Sequence, residues 1–267
     1  KYDALVCEVN KAFKEHKISE AARELYTFIW NIYCDWYLEM VKPRLYTGTD
    51  EDKIIAHTIL ITILERILRL IHPIMPFITE DIWQLLPREH NTASIMITNW
   101  PNMQKQFISK KIDNEMEVLI SVIQAVRNLR ATWHIEPMKE VDICIKVKKK
   151  KDLALINENK AYINKLACIK NISTSNKLKK PRHSAVTVKG DIEIFLPLEG
   201  IIDLKKEKNR LKKKLGEISN LLKGIEEKLK NKNFISKAPK QVVEKEKKRA
   251  AFLKTEINGL KKNLKEL

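Results

Sequence analysis

Glycine is scarce in this chain and paired cysteine is missing. Six glycines in 267 residues are too few for the turns of a loop-rich all-β fold, so helices are expected to dominate. The four cysteines, Cys7, Cys34, Cys144 and Cys168, are scattered without a CxxC pair. That argues against a zinc ribbon or a disulfide scaffold and fits a reducing compartment. The histidines show no HxxxH or mixed His/Cys spacing, so no metal site is expected. No P-loop, GxSxG, HExxH or GxGxxG string occurs. The most apolar run, IIAHTILITIL at 54–64, is too short for a bilayer and is followed by Glu65, Arg66 and Arg69. No charged-then-apolar signal segment is present, and a soluble, cytoplasmic protein is expected. The chain starts at Lys1, already inside an amphipathic pattern of Tyr2, Leu5, Val6, Val9 and Phe13. It reads as a piece cut from something longer.

What is abundant is positive charge. The formal net charge is +17, and the segment from Asp203 to Leu267 holds 21 Lys and Arg against 9 Asp and Glu, +12 of that total. Such asymmetry points to a polyanionic partner, nucleic acid or an acidic membrane surface. A hydrophobic fraction of 44% still suffices for a folded core.

The patterning predicts a mainly α architecture in three parts, 1–110, 111–200 and 201–267. The first is a helical bundle of four helices with a connector. Helix two starts at an N-cap Ser19, turns Ala22, Leu25, Ile29, Ile32, Trp36 and Met40 to one face, and ends at Pro43. Helix three, about 51–72, is apolar around most of its circumference before Glu65, as suits a central helix. A short fourth helix covers 79–86. The connector contains one extended stretch, Ser94 to Ile97. A long helix over 111–133 turns Met116, Leu119, Ile120, Ile123 and Val126 inward. A small α/β unit follows, with strands at 141–147 and 168–173, one helix at 151–166, and a hairpin at 184–198 turning at Lys189-Gly190-Asp191.

The tail carries two narrow apolar seams. Leu204, Leu211, Leu215, Ile218, Leu222, Ile225 and Leu229 form the first, with Lys208 in its gap. Val243, Ala250, Leu253, Ile257, Leu260, Leu264 and Leu267 form the second, with Glu246 or Lys247 in the gap. Steps of three and four over both segments predict an antiparallel coiled-coil hairpin. At 1.5 Å per residue each arm reaches about 40 Å. Pairing inside the chain removes the usual reason for a dimerisation zipper. It also leaves no broad apolar face for lipid, whereas the outer lysines stay free for phosphates.

Specific strings narrow the reading. FIWNIYCDWYLEMVKPRL (28–45) and LIHPIMPFITEDIWQLLP (70–87) resemble the anticodon-binding helical bundle of class I aminoacyl-tRNA synthetases for branched aliphatic amino acids. SIMITNWP (94–101) and VRNLRATWHIEPMK (126–139) continue that resemblance, with departures at Thr132 and Glu136. GDIEIFLPLEGIIDLKKEKNRLKKKL (190–215) and NFISKAPKQVVEKEKKR (233–249) are similar to the C-terminal end of the valyl-type members. The cysteine-rich zinc module often found in isoleucyl-type members is absent. The resemblance implies a tRNA-binding fragment whose partners are valine tRNA and the catalytic body of the same protein, acting as a monomer. In the family the complete enzyme attaches valine to its tRNA using ATP and magnesium, and a separate domain hydrolyses mischarged threonine. No HIGH-like or KMSKS-like segment in a fitting context occurs here, so no catalytic residue, metal or cofactor is expected in this chain.

On that resemblance Lys42 and Arg44 are candidates for the anticodon side, with a surface salt bridge as the competing role. Arg127 and Arg130 are candidates for the tRNA backbone, against a structural pairing with the α/β unit. On the arm, Lys213, Lys245, Lys248 and Arg249 fall outside the seam. Trp30, Trp36 and Trp83 read as core, and Glu80 and Asp81 as structural acids at a helix start. The alternatives are a helical coiled-coil module for protein partners and the equivalent region of an isoleucyl-type synthetase.

Overall fold

The computed structural model describes residues 1–87, 92–231 and 240–267. These form two compact units, Lys1–Met116 and Glu117–Leu267.

In the first unit, α1 (Tyr2–Lys14) packs on α2 (Ile18–Phe28), and α3 (Glu39–Thr47) leads into α4 (Asp50–Ile71) and α5 (Pro76–Leu85). Tyr2, Leu5, Val6, Val9 and Ala12 of α1 meet Ala21, Leu25, Phe28 and Tyr33, with Ile67 and Leu70 of α4 closing the core. Leu68, Trp83 and Ile95 make a second, smaller cluster.

Helix two departs from expectation in three ways. Its N-cap is Lys17, without a side-chain cap, so Ser19 lies inside the helix. Between α2 and α3 the chain continues as a π-helix over Ile29–Leu38. Pro43 does not end the helix but sits inside α3, which runs on to Thr47, whose hydroxyl donates to the Pro43 carbonyl at 2.7 Å. The wider π turns explain the core pattern. Buried positions run Ala21, Leu25, Phe28, Tyr33, Trp36 and Val41, and steps of five appear where i→i+5 bonding replaces i→i+4. The inward stripe therefore passes through Ala21 and Phe28 rather than Ala22 and Ile29. Trp30 is turned out, 53% exposed, beside the exposed Tyr26 ring at 6.3 Å.

α4 begins at Thr49, whose hydroxyl accepts from the Asp52 N–H at 3.2 Å. Its N-terminal half is less buried than a central helix should be. Only Ala56 is enclosed there, while Ile54, Ile55 and Ile59 are exposed. Its C-terminal half holds a polar hub. Glu65 accepts from Arg69 at 2.6 Å and from the Trp83 indole N–H at 2.9 Å, and Arg69 also donates to the Asn99 carbonyl at 2.7 Å. Ile95–Ile97 is a 3-10 turn instead of an extended stretch, because the Ser94 hydroxyl caps it by accepting from the Met96 N–H. Glu80 is structural, though not through a helix dipole. It accepts from Gln84 at 2.6 Å, the Ser94 hydroxyl at 2.8 Å and the Ile95 N–H at 3.2 Å. Those bonds, led by Gln84, hold its carboxyl below the ordinary glutamate range.

α6 (Lys110–Thr132) carries Leu119, Val122, Ile123, Val126 and Leu129 as buried positions, with Met116 and Ile120 partly covered. The second unit then builds a four-stranded sheet from β1 (Val141–Val147), β2 (Ile169–Ser175), β3 (Ser184–Lys189) and β4 (Ile192–Pro197) in the order β2-β1-β4-β3. β1 and β2 are parallel, joined through α7 (Lys150–Glu158) and α8 (Lys160–Ala167). The expected single helix is thus two, divided at Asn159, whose φ of −108° and ψ of 18° leave helical geometry. β1–β4 and β3–β4 are antiparallel, and the β3–β4 turn uses Gly190 at φ +57°. The left-handed conformation that turn requires is accessible to glycine without a Cβ clash.

α9 (Leu204–Lys230) and α10 (Lys240–Glu266) pack on each other as the expected hairpin, and the connecting residues 232–239, including Phe234, lie outside the described residues. Asp203 caps α9 by accepting from the Lys206 N–H at 3.0 Å. Leu211, Ile218 and Ile225 meet Val243, Ala250, Leu253, Ile257 and Leu260 in the seam. In the gaps, Lys208 is exposed, Glu246 is half-buried and Lys247 is exposed.

Candidate nucleic-acid interface

Eight cations were candidates on sequence grounds, and the structure sorts them by what each side chain already holds. Lys42 bonds Glu39 one helical turn away at 2.5 Å. Arg44 reaches Asp52 at 3.3 Å and so ties α3 to the first turn of α4. The Asp52 carboxyl is held below its ordinary range, first by the Thr49 hydroxyl and then by Arg44. Both cations remain about half exposed. Each therefore has an intramolecular acid to exchange for a phosphate, and exposed pairs of this kind are worth ~0–1 kcal/mol.

For Arg127 and Arg130 an RNA stem and a structural pairing with the α/β unit were the two expected roles, and the structure shows the second. Both serve the C-terminal end of α8. Arg127 donates to the Leu166 carbonyl at 2.9 Å. Arg130 is 6% exposed and donates to the carbonyls of Cys168 at 3.0 Å, Glu136 at 2.8 Å and Pro137 at 3.0 Å. The last carbonyls of a helix have no intrahelical partner and carry its negative dipole end, which a guanidinium satisfies. Cys168, at φ 50°, ends α8 in the left-handed conformation, and its carbonyl also accepts from the Val141 N–H at 3.3 Å. Arg130 is thereby a structural pin between α6, α8 and β1. It leaves the RNA-facing set.

Lys213, Lys245, Lys248 and Arg249 are all exposed on the hairpin. Among the described residues none of the four makes an ion pair. Three acids of the arm, Glu207, Glu226 and Glu256, are held by other cations. Arg210 grips Glu207 through two bonds, at 2.8 and 2.6 Å. Lys214 meets Glu256 at 3.0 Å, and Lys254 meets Glu226 at 2.8 Å, across the two helices. These cross-helix pairs fix antiparallel orientation more than they stabilise. The four outward cations take no part in these pairs. The four cations are not gathered into one spot. Lys245 and Lys248 share one side of α10 with Gln241 and Glu244 around a shallow surface depression. From the cross-helix pairing, Lys213 lies about 20 Å further along the arm at 1.5 Å per residue. The arrangement is a strip, suited to a phosphate track rather than to one bound anion.

Sequence reasoning missed the Tyr26–Trp30 pair, two neighbouring exposed aromatics of the kind on which unpaired bases stack. The regular helical period already places both off the inward stripe of Ala22, Leu25, Ile29 and Ile32, so the signal was present and was outweighed by the size of the Trp30 ring. Trp36 and Trp83 are buried as expected. The four cysteines are free thiols. Among the described residues no group of three or more His, Cys, Asp and Glu could hold a metal ion, and no helix is long and apolar enough to cross a membrane.

Comparison with known proteins bears on both ends of the chain. Residues 1–145 match the model for the anticodon-binding domain of tRNA ligase, and residues 203–267 match the model for the valyl tRNA synthetase tRNA binding arm. A valine–tRNA ligase of Syntrophotalea carbinolica is 36% identical over 263 residues, covering 98% of this chain and 29% of that protein. Those of Geobacter sulfurreducens and Oceanobacillus iheyensis are 34% and 36% identical, covering 93% and 95% of this chain. The chain spans less than a third of the length of these relatives. With over half its residues inside the first family model and the arm model at its other end, the chain belongs to the anticodon-binding domain family of tRNA ligases, in the valyl-tRNA synthetase branch.

Proposed function

We propose that the chain is the tRNA-grasping portion of a valine–tRNA ligase and acts on valine tRNA as a monomer. The bundle faces the anticodon end and the helical hairpin lies along the outer corner of the folded tRNA. Unpaired anticodon bases are read by stacking and by hydrogen bonds to their edges, whereas a folded corner is recognised through shape and phosphate. The observation that carries this reading is the set of exposed cations along the hairpin, Lys213, Lys245, Lys248 and Arg249, none of which makes an ion pair among the described residues. In this proposal attachment of valine, with its ATP and magnesium, and removal of mischarged threonine belong to the rest of the ligase, which is also a partner of this chain. Editing is needed there because a small apolar pocket separates isosteric amino acids only by about 100-fold.

The test is binding of the chain to valine tRNA and isoleucine tRNA at two salt concentrations, beside a variant with all four arm cations changed to Gln. Salt-sensitive binding that favours valine tRNA and weakens in the variant is expected. Equal binding of both tRNAs would refute anticodon reading by the bundle and leave a general polyanion grip. Absence of binding at low salt would refute the RNA reading of the arm and favour a protein partner for the coiled coil.

A further inference from the structure

A second concentration of positive charge lies away from the hairpin, at one end of the four-stranded sheet. β1 leaves the sheet at Val147 and runs through Lys148 and Lys149 into α7, which opens with Lys150. β2 lies parallel to β1 with Ser175 beside Lys146, so Lys177 emerges at the same end. β3 finishes there at Lys189, which pairs with Ile192 at the start of β4, and Ile192 in turn pairs with Val147. Three chain segments thus deliver lysines to one edge. In sheet order they run Lys177, then Lys148 and Lys150, then Lys189. Three strand spacings of ~4.8 Å make that row about 14 Å wide.

The carboxylates at this edge are already committed. Asp191 sits in the hairpin turn and is bound by Lys149 at 3.0 Å. Its carboxyl is held below the ordinary aspartate range by Lys149, with a smaller contribution from Lys148. Glu193 is bound by Lys146 at 3.2 Å, and Asp152 in the first turn of α7 acts on Lys149. Lys148, Lys150, Lys177 and Lys189 remain exposed, and among the described residues none of the four makes a salt bridge. Two of these lysines also oppose a local rule. Cations at the start of a helix face the positive end of its dipole, which disfavours them. Asp152 in the same turn offsets part of that charge, and an external anion would offset more. Breaches of local rules of this kind gather at functional sites.

We propose that the sheet edge carrying Lys148, Lys150, Lys177 and Lys189 is a second RNA-phosphate contact surface, separate from the hairpin. It rests on the reading of the chain as tRNA-binding and adds where else the RNA backbone is held. The ligand chemistry is a run of phosphodiesters. Lysine ammonium groups act on them as point charges with freely rotating donors, so the contact carries no base preference.

The experiment compares the whole chain with K148Q/K150Q/K177Q/K189Q and with the charge-preserving K148R/K150R/K177R/K189R. Binding of a folded valine tRNA is followed by fluorescence anisotropy from about 50 to about 200 mM salt. Each lost phosphate contact lowers the slope of log K against log salt by about 0.7–0.9, so the Gln variant should lose about 3 in slope. Its affinity at the low-salt end should fall at least tenfold, while the Arg variant keeps both. Unchanged circular dichroism identifies any loss as charge loss rather than unfolding. If the unaltered chain binds and the Gln variant matches it in slope and affinity, the sheet edge is an idle lysine surface and the proposal fails alone. If the unaltered chain does not bind tRNA, the broader reading fails with it. Loss of binding only to phosphatidylserine vesicles would overturn the proposal in favour of a membrane surface.

Discussion

Replacing Arg130 by methionine removes one guanidinium and leaves three carbonyls, those of Glu136, Pro137 and Cys168, without that donor. Hydrogen bonds to a charged group contribute about 1.5–3 kcal/mol each, and orphaned buried acceptors cost about 1–3 kcal/mol. The losses are not additive, because Cys168 keeps its bond from Val141 and the other two carbonyls follow α6 within a few residues. With two carbonyls left without this donor and no charge left behind, we expect R130M to cost about 2–5 kcal/mol. A domain with ~5–15 kcal/mol of total stability would lose a large share of it. R130K keeps the charge but not the planar fork that reaches three carbonyls, so a loss of roughly half that size is expected. Urea unfolding followed by far-UV circular dichroism measures both, and hydrogen exchange at the β1 amides locates the damage. At a temperature where R130K stays folded, its salt slope for tRNA should equal that of the parent chain. A cost below about 1 kcal/mol for R130M, or a lower salt slope in folded R130K, would refute the assignment of Arg130 as a structural pin.

Gly216, Gly224 and Gly259 lie in helix interiors, and a Cβ added at each meets nothing within 4 Å. Each change to Ala should therefore stabilise the arm by about 0.4–1 kcal/mol, read as slower hydrogen exchange in α9 and α10; faster exchange would contradict continuous helix there. Glu266 is buried where α10 meets β3, and burial raises its carboxyl pKa against the opposing Val186 N–H and the nearby Lys262 and Lys180. Its folded-state value lies above the unfolded one, so its contribution is complete below the ordinary glutamate range and disappears as pH rises through the folded value. Protection of the Val186 amide, its exchange rate relative to the intrinsic rate at the same pH, should accordingly fall across that rise, and E266Q should abolish that fall; a pH-independent protection in the unaltered chain would refute it. The two tryptophans of opposite exposure give a paired check by denaturant midpoint. W83F deprives Glu65 of a donor at 2.9 Å and should cost about 1–3 kcal/mol, whereas W30F at an exposed site should stay within about 0.5 kcal/mol.

Much of the architecture was legible because it rests on local periodicity. The two seams of the tail, the alternating strand at 141–147, the Lys189-Gly190-Asp191 turn and the inward face of α6 each repeat within a few residues. So does the surplus of lysine over acid, which pointed to a polyanion before any fold was known. The strings at 28–45 and 70–87 carried the family, since aromatics, prolines and acids in that order are far rarer than an amphipathic stripe.

Other features depended on contacts distant in sequence. Whether Arg130 faces RNA or the end of α8 is decided by carbonyls as far away as Cys168, and a basic helix end looks the same in either case. Helix two passes through Pro43, against the rule that proline ends a helix, because the backbone there accepts its cost inside the packed bundle. The lysine edge at 148, 150, 177 and 189 exists only once the strand order β2-β1-β4-β3 is formed. The sequence by itself determined which residues are apolar at which period, and hence the elements, the arm and the sign of the partner's charge. The tertiary structure decided which cations are consumed by carbonyls and carboxylates and which remain for a ligand, because that depends on what folding brings within hydrogen-bonding distance.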